Sequence, residues 1–235
     1  MGYLAIASDY DGTLAHEGMV EPDTIAAIER LNRSGRKLIL VTGRELPDLQ
    51  SVFPRLDLCT RVVAENGALL YNPLTHEKKV LAERPPKSFL SNLGREGICD
   101  IGVGEVIIAT RRGYEREVLK AIRDSGLALQ IIFNKDGLMI LPSGVNKMTG
   151  LSCALKQLKL SRHNVAAIGD GENDHAFLDG CECSVAVANA IPALKEKADL
   201  VTDGAYGAGV VEVINQLIEN DLSEIEAKLS RHQAD

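Results

Sequence analysis

Three short apolar runs, Leu4-Ala5-Ile6-Ala7, Lys37-Leu38-Ile39-Leu40-Val41 and Val165-Ala166-Ala167-Ile168, each lead into a polar turn. Runs of this length, bounded by turn residues, read as buried strands. Between the first two, Pro22 stands at a first helical position. Ile25, Ile28 and Leu31 then recur at helical spacing, and Gly35 follows as a cap. A strand–helix–strand unit with short links is the signature of a parallel sheet. The same rhythm returns near the C-terminal end. Lys147 opens a helix, a strand spans 165–168, a short helix runs from Asn173 to Leu178, and further strands are expected at 184–187 and 200–201.

Between these two stretches the pattern changes. Val62-Val63-Ala64 and Ala68-Leu69-Leu70-Tyr71 flank Glu65-Asn66-Gly67, a hairpin signal. Pro85-Pro86 breaks the chain, and strand-like segments then dominate. These are 106–110, and a hairpin of 129–133 with 138–141 around Asn134-Lys135-Asp136-Gly137. A helix over 115–124 is expected to turn Val118, Leu119 and Ile122 inward. The expected fold is therefore α/β: a Rossmann-like, doubly wound parallel sheet with a small α+β unit inserted. The expected division is residues 1–80 and 144–235 for the core and 81–143 for the insert. The tail from Leu222 to His232 carries Leu222, Ile225 and Leu229 at helical spacing and could dock on its own core or on a partner.

Composition narrows the function. The chain has 235 residues and a net charge of −7, which argues against a nucleic-acid partner. No apolar run reaches the roughly 18 residues needed to cross a bilayer, and the N-terminus has no secretory pattern. The five cysteines are odd in number and mostly scattered, which fits a reducing cytoplasm. Cys181 and Cys183 form a C-x-C with no second pair at zinc spacing. A monomer or a homodimer is equally compatible with these features.

In an open parallel sheet, ligands bind beyond the carboxyl ends of the strands. The distinctive polar residues fall at such ends. Asp9-Tyr10-Asp11-Gly12-Thr13-Leu14 follows the first strand, Thr42-Gly43-Arg44 the second, and Gly169-Asp170-Gly171-Glu172-Asn173-Asp174 the strand at 165–168. Taken alone, Asp9 and Asp11 could be two solvated acids in an Asp-Gly turn. Residues two apart on an extended chain point the same way, however, so they can also present paired carboxylates. With Asp170 and Lys147 at the same edge, the set suits phosphoryl transfer from an ester. Mg²⁺ held by Asp9, the Asp11 carbonyl and Asp170 would screen an attacking Asp9 carboxylate from the phosphate. Lys147 would add a point charge, Thr42 a hydroxyl donor, and the Gly12 and Gly43 turns backbone N–H groups. Asp11 would carry the proton to the leaving oxygen. Arg44 could meet the substrate or be an ordinary surface arginine. Asp174 and Asn173 could cap the short helix or serve the site.

These four segments, in this order, resemble the motifs of the haloacid dehalogenase superfamily in its phosphatase form. The insert's position, together with Glu65-Asn66-Gly67-Ala68, is similar to the Cof-type branch. Its compact size is similar to archaeal-type phosphoglycolate phosphatases and sucrose-phosphatase-like enzymes. The resemblance implies a Mg²⁺-dependent phosphomonoesterase acting on a small phosphate ester, with Asp9 as nucleophile and Asp11 as acid/base. It implies Mg²⁺ at Asp9, Asp11, Asp170 and Asp174, phosphate contact from Thr42 and Lys147, and a cap built by the insert. Arg111, Arg112, Asn134 and Lys135 are the insert's candidates for an anionic substrate. A phosphomutase or phosphotransferase would share the first step. A receiver-like module that accepts phosphate on Asp is the alternative from another class.

Overall fold

A computed structural model describes residues 2–134 and 136–223. Lys135 and the tail beyond Ser223, with Ile225, Leu229 and His232, lie outside the described residues.

The larger sheet has eight strands. In chain order they are β1 (Ala5–Ser8), β2 (Lys37–Val41), β3 (Arg61–Ala64), β4 (Leu69–Asn72), β5 (Glu77–Val80), then β10 (Val165–Gly169), β11 (Cys183–Ala186) and β12 (Leu200–Val201). Across the sheet the order is β12-β11-β10-β1-β2-β3-β4-β5. The first six are parallel, while β4 and β5 run antiparallel at one edge. Every residue of β1 and β10 is buried, which is why these strands read as unbroken apolar runs.

The helices are α1 (Pro22–Arg33), α2 (Leu46–Val52), α5 (Lys147–Leu158), α6 (His175–Asp179), α7 (Pro192–Lys195) and α8 (Gly207–Asn220). Right-handed crossovers running in opposite directions across the sheet put α1 on one face and α5 and α6 on the other. The packing agrees: α1 lies against α8, and α5 lies against α6 and β3. The fold is an α/β layer structure around a parallel sheet, as the strand–helix alternation predicts.

The second sheet is antiparallel, ordered β6-β7-β9-β8 from β6 (Gly102–Val103), β7 (Ile108–Arg111), β8 (Leu129–Asn134) and β9 (Gly137–Pro142). Helices α3 (Lys87–Arg95) and α4 (Glu115–Ser125) pack together beside it. Phe89, Leu93, Ile108, Val118, Leu138 and Ile140 form its own apolar cluster. A smaller cluster, with Ala68, Val106, Ile107 and Leu141, joins residues of both sheets.

Two local expectations need correction, and one strand was not foreseen. The apolar run at 106–110 is not all strand: β7 begins at Ile108, and Val106 and Ile107 are buried in the turn before it. Leu119 is 56% exposed; α4 buries Val118 as expected and Ala121 in place of Leu119, with Ile122 partly buried against the same cluster. Strand β5, Glu-Lys-Lys-Val, is exposed at every position and carries no apolar alternation. Charged side chains on an edge strand discourage pairing with another chain, and they also hide the strand from pattern reading.

Candidate active site

The register of the parallel strands builds the site. Ser8 lies opposite Ile168 on one side and Leu40 on the other. The next residues therefore emerge together at one edge: Asp9, Asp170 after Gly169, and Thr42 after Val41. All three are buried, with Asp9 at 3% and Asp170 at 5% exposure. One carboxylate oxygen each from Asp9, Asp170 and Asp174 lie within 4.8 Å of one another.

Lys147 closes this cluster. Its Nζ lies 2.7 Å from Asp9 Oδ1 and 2.6 Å from Asp174 Oδ1, with the side chain fully buried. An ammonium at the first residue of a helix opposes the helix dipole, so its place is set by these carboxylates. Helix α5 is started by Asn146, whose side chain accepts the Thr149 amide at 3.0 Å in a reciprocal capping box. The second oxygen of Asp174 accepts the backbone N–H groups of Asp170 at 2.9 Å and Gly171 at 2.8 Å. Asp174 thus shapes the loop that carries Asp170, and its side chain does not cap α6. Thr13 donates its hydroxyl to Asp170 Oδ1 at 2.9 Å.

Burial pushes the Asp9 carboxyl well above its ordinary range, and the Asp174 and Asp170 carboxylates add to this against the pull of Lys147. Burial works the other way on Lys147, but Asp174 and Asp9 outweigh it and raise the ammonium above an ordinary lysine. The cluster therefore holds a charged lysine and an Asp9 whose negative charge is under-stabilised. Hard oxygen donors that gain from added positive charge fit a Mg²⁺-sized cation. Asn173 Oδ1, a buried acceptor without a hydrogen-bond partner among the described residues, stands in the same loop.

Asp11 is placed differently from Asp9. Its carboxylate accepts a bidentate pair from Arg44, at 2.6 Å from Nε and 2.7 Å from Nη2. Arg44 also reaches Asp48 at 2.6 Å, and the Asp11 hydrogen bond leads the causes that raise its guanidinium above an already high value. The Asp11 carboxylate is thus not one of the three clustered carboxylates. Thr42 is buried, and its hydroxyl oxygen accepts the Arg44 amide at 3.1 Å, which leaves its hydrogen to donate. Beside these residues opens a cleft of about 530 Å³ lined by Asp11, Gly12, His16, Arg44, Asn134 and Tyr206.

Reading the sequence did not single out Thr13 or Glu65 as site residues. A threonine inside a Gly-Thr-Leu turn has no distinguishing spacing, and Glu65 sat in a hairpin turn. Asn189 carries more structure than a turn residue: it donates to the Gly12 carbonyl at 2.7 Å and accepts the Tyr206 amide at 2.7 Å. Arg112, one of the insert's candidates for an anionic substrate, forms an ion pair with Glu172 at 3.0 Å between the two sheets' loops. The C-x-C is no reactive site. Burial pushes the thiols of Cys181 and Cys183 up to about 12, and all five cysteines are free.

Comparison with known proteins agrees with this frame. The model of the haloacid dehalogenase-like hydrolases matches residues 6–93 and 98–214. Phosphoglycolate phosphatase 2 of Saccharolobus solfataricus is 32% identical over 228 residues, covering 94% of this chain and 95% of its own. The phosphoglycolate phosphatase of Methanothermobacter thermautotrophicus is 30% identical over 223 residues, covering 91% and 98%. Among solved structures, a haloacid dehalogenase-like hydrolase from B. subtilis superposes with a TM-score of 0.76 at 20% identity, covering 91% of this chain and 99% of its own. With a family model spanning nearly the whole described chain and relatives aligned end to end, this chain belongs to the haloacid dehalogenase-like hydrolase family.

Proposed function

We propose that this chain is a Mg²⁺-dependent phosphatase of a small phosphorylated metabolite, with phosphoglycolate the first candidate and a sugar phosphate the second. The observation that carries this reading is the meeting of Asp9, Asp170, Asp174 and Lys147 in one buried cluster at the carboxyl edge of the parallel sheet. The similarity to the two phosphoglycolate phosphatases supports the substrate class.

Asp9, Asp170, Asp174 and the Asp11 carbonyl would hold the metal, which supplies positive charge against the phosphate oxygens. In the first step an Asp9 carboxylate oxygen attacks phosphorus and the P–O bond to the alcohol breaks, giving an aspartyl-phosphate. Lys147 and the Thr42 hydroxyl hold the phosphoryl oxygens, together with N–H groups of the Gly12 and Gly43 turns. Asp11 delivers a proton to the departing alkoxide and takes one from water in the second step, which returns free Asp9 and inorganic phosphate. Both Asp11 oxygens accept from Arg44, so proton delivery requires one to leave the fork. Arg44 thereby sets where the proton carrier stands. The sheet over 102–142 acts as the cap, excludes bulk water and reads the leaving group.

The test is steady release of phosphate from p-nitrophenyl phosphate with Mg²⁺, followed by a screen of phosphorylated metabolites that includes phosphoglycolate. A single stoichiometric burst without turnover would favour a phospho-accepting module instead. Asp9→Asn is expected to lower kcat by about a thousandfold or more with the fold intact. Near-normal turnover of that variant would refute the mechanism.

A further inference from the structure

Glu65, Asn66 and Gly67 form a turn of three consecutive left-handed residues, with φ of 52°, 51° and 103°. For Glu65 this conformation is strained, and such strain persists only where the surroundings over-determine it. Its side chain is also completely buried. What surrounds it is the second sheet. The Glu65 carboxylate accepts the backbone N–H groups of Glu105 at 2.8 Å, Val106 at 2.8 Å and Ile107 at 2.9 Å, three successive donors in the turn between β6 and β7. Gly104 completes the seat, since a Cβ there would stand 2.7 Å from Glu65 Oε1. A carboxylate of the large sheet thus plugs an anion-binding nest of the small one.

The same turn touches the segments around the site. The Glu65 N–H donates to the Arg44 carbonyl and the Asn66 N–H to the Thr42 carbonyl, both at 3.0 Å. Asn66 Oδ1 accepts from Asn173 at 2.9 Å. Gly67 lies so close to the Asn146 carbonyl, just before Lys147, that a Cβ would stand 1.9 Å from it.

The geometry points to Glu65 as a positioning residue: its carboxylate seats the small sheet on the turn that holds Thr42, Arg44, Asn173 and the start of α5. Seating of the small sheet and alignment of the phosphate-binding groups are then one event. This rests on the phosphatase reading for its kinetic consequence but not for the seating itself. A neutral, isosteric side chain leaves the turn's shape and weakens the seat. Charge-assisted hydrogen bonds lost from a buried site correspond to changes of about tenfold or more.

The test compares wild type, Glu65→Gln and Glu65→Ala by amide hydrogen exchange and by kinetics on p-nitrophenyl phosphate. Expected is exchange about tenfold or more faster at residues 105–107 in Glu65→Ala, and to a smaller extent in Glu65→Gln. The amides of Glu65 and Asn66, which hold the Thr42–Arg44 segment, should loosen with them. kcat should fall about tenfold or more in Glu65→Ala and less in Glu65→Gln, with KM nearly unchanged. If Glu65→Ala does not fold, Glu65→Gln alone decides by the same readouts. Wild-type exchange at 105–107 overturns the proposal, and so does faster exchange with kcat unchanged. A wild type that turns over no phosphate ester refutes the phosphatase reading, and amide exchange then decides the seating alone.

Discussion

At the residue scale, what separates the acids is their surroundings. Asp9 is enclosed, crowded by Asp174 and Asp170, and its carboxyl is raised by burial first. A folded-state acid raised above its unfolded value contributes stability while protonated, and that contribution is lost as pH rises from the ordinary carboxylate range through the raised value. Ionising Asp9 in metal-free protein therefore carries a cost, which a divalent cation held there, as proposed, would offset. Protons would compete with such a cation for the same oxygens. The Tm gain on adding Mg²⁺ to chelator-treated protein is expected to be larger at about pH 7 than at about pH 5. Equal gains in calorimetric scans would argue against Asp9 as a ligand. Asp11 depends on a different feature, the planar fork of Arg44. A lysine cannot reproduce that bidentate grip. Arg44→Lys is expected to lower kcat about tenfold, with near-normal thermal unfolding, because the pair is partly solvated. These candidates were legible as residue types at strand ends. The pairing of Asp11 with Arg44 was not, because it joins side chains 33 residues apart.

At the element scale, helix α5 is aimed by close backbone contact. Gly67 approaches the Asn146 carbonyl, and a Cβ on Gly150 would stand 2.5 Å from Val63 Cγ1 and 2.6 Å from Gly67 Cα. Two glycines thus let the helix start press onto the turn after β3, which brings Lys147 to Asp9. Gly67→Ala adds a clash with backbone and a side chain at φ 103°. It is expected to cost about 2 kcal/mol or more in denaturant unfolding and to displace Lys147 enough to lower kcat. Unchanged stability would mean that the turn can relax. The exposed Arg112–Glu172 pair is a contrast, because solvent screens it. Arg112→Ala is expected to change stability by less than about 1 kcal/mol in the same measurement. The helices and buried strands were readable from apolar spacing. Strand β5 and the start of β7 were not, since one is polar on both faces and the other continues an apolar run whose first residues serve the Glu65 seat.

At the scale of the whole molecule, two apolar clusters of unequal size stand behind the two sheets. The larger packs strands β1, β2 and β10 with helices on both faces, while the smaller rests on one four-stranded sheet and two helices. Amides of β8 and β9 are therefore expected to exchange through openings of lower free energy than those of β1 and β10. Identical protection in native-state exchange would show a single cooperative unit. Among the described residues, no helix is long and apolar enough to cross a membrane. The sequence by itself determined the alternation of buried strands and helices, the inserted unit, and the placing of acids and a threonine at strand ends and of a lysine at a helix start. Those follow from local periodicity and from the rule that ligands meet the carboxyl edge of a parallel sheet. Only the tertiary structure decided which acids share a cluster, that Arg44 holds Asp11, and that Glu65 fills a nest in the other sheet. Register, burial and contacts between residues far apart in the chain set these, and no local pattern encodes them.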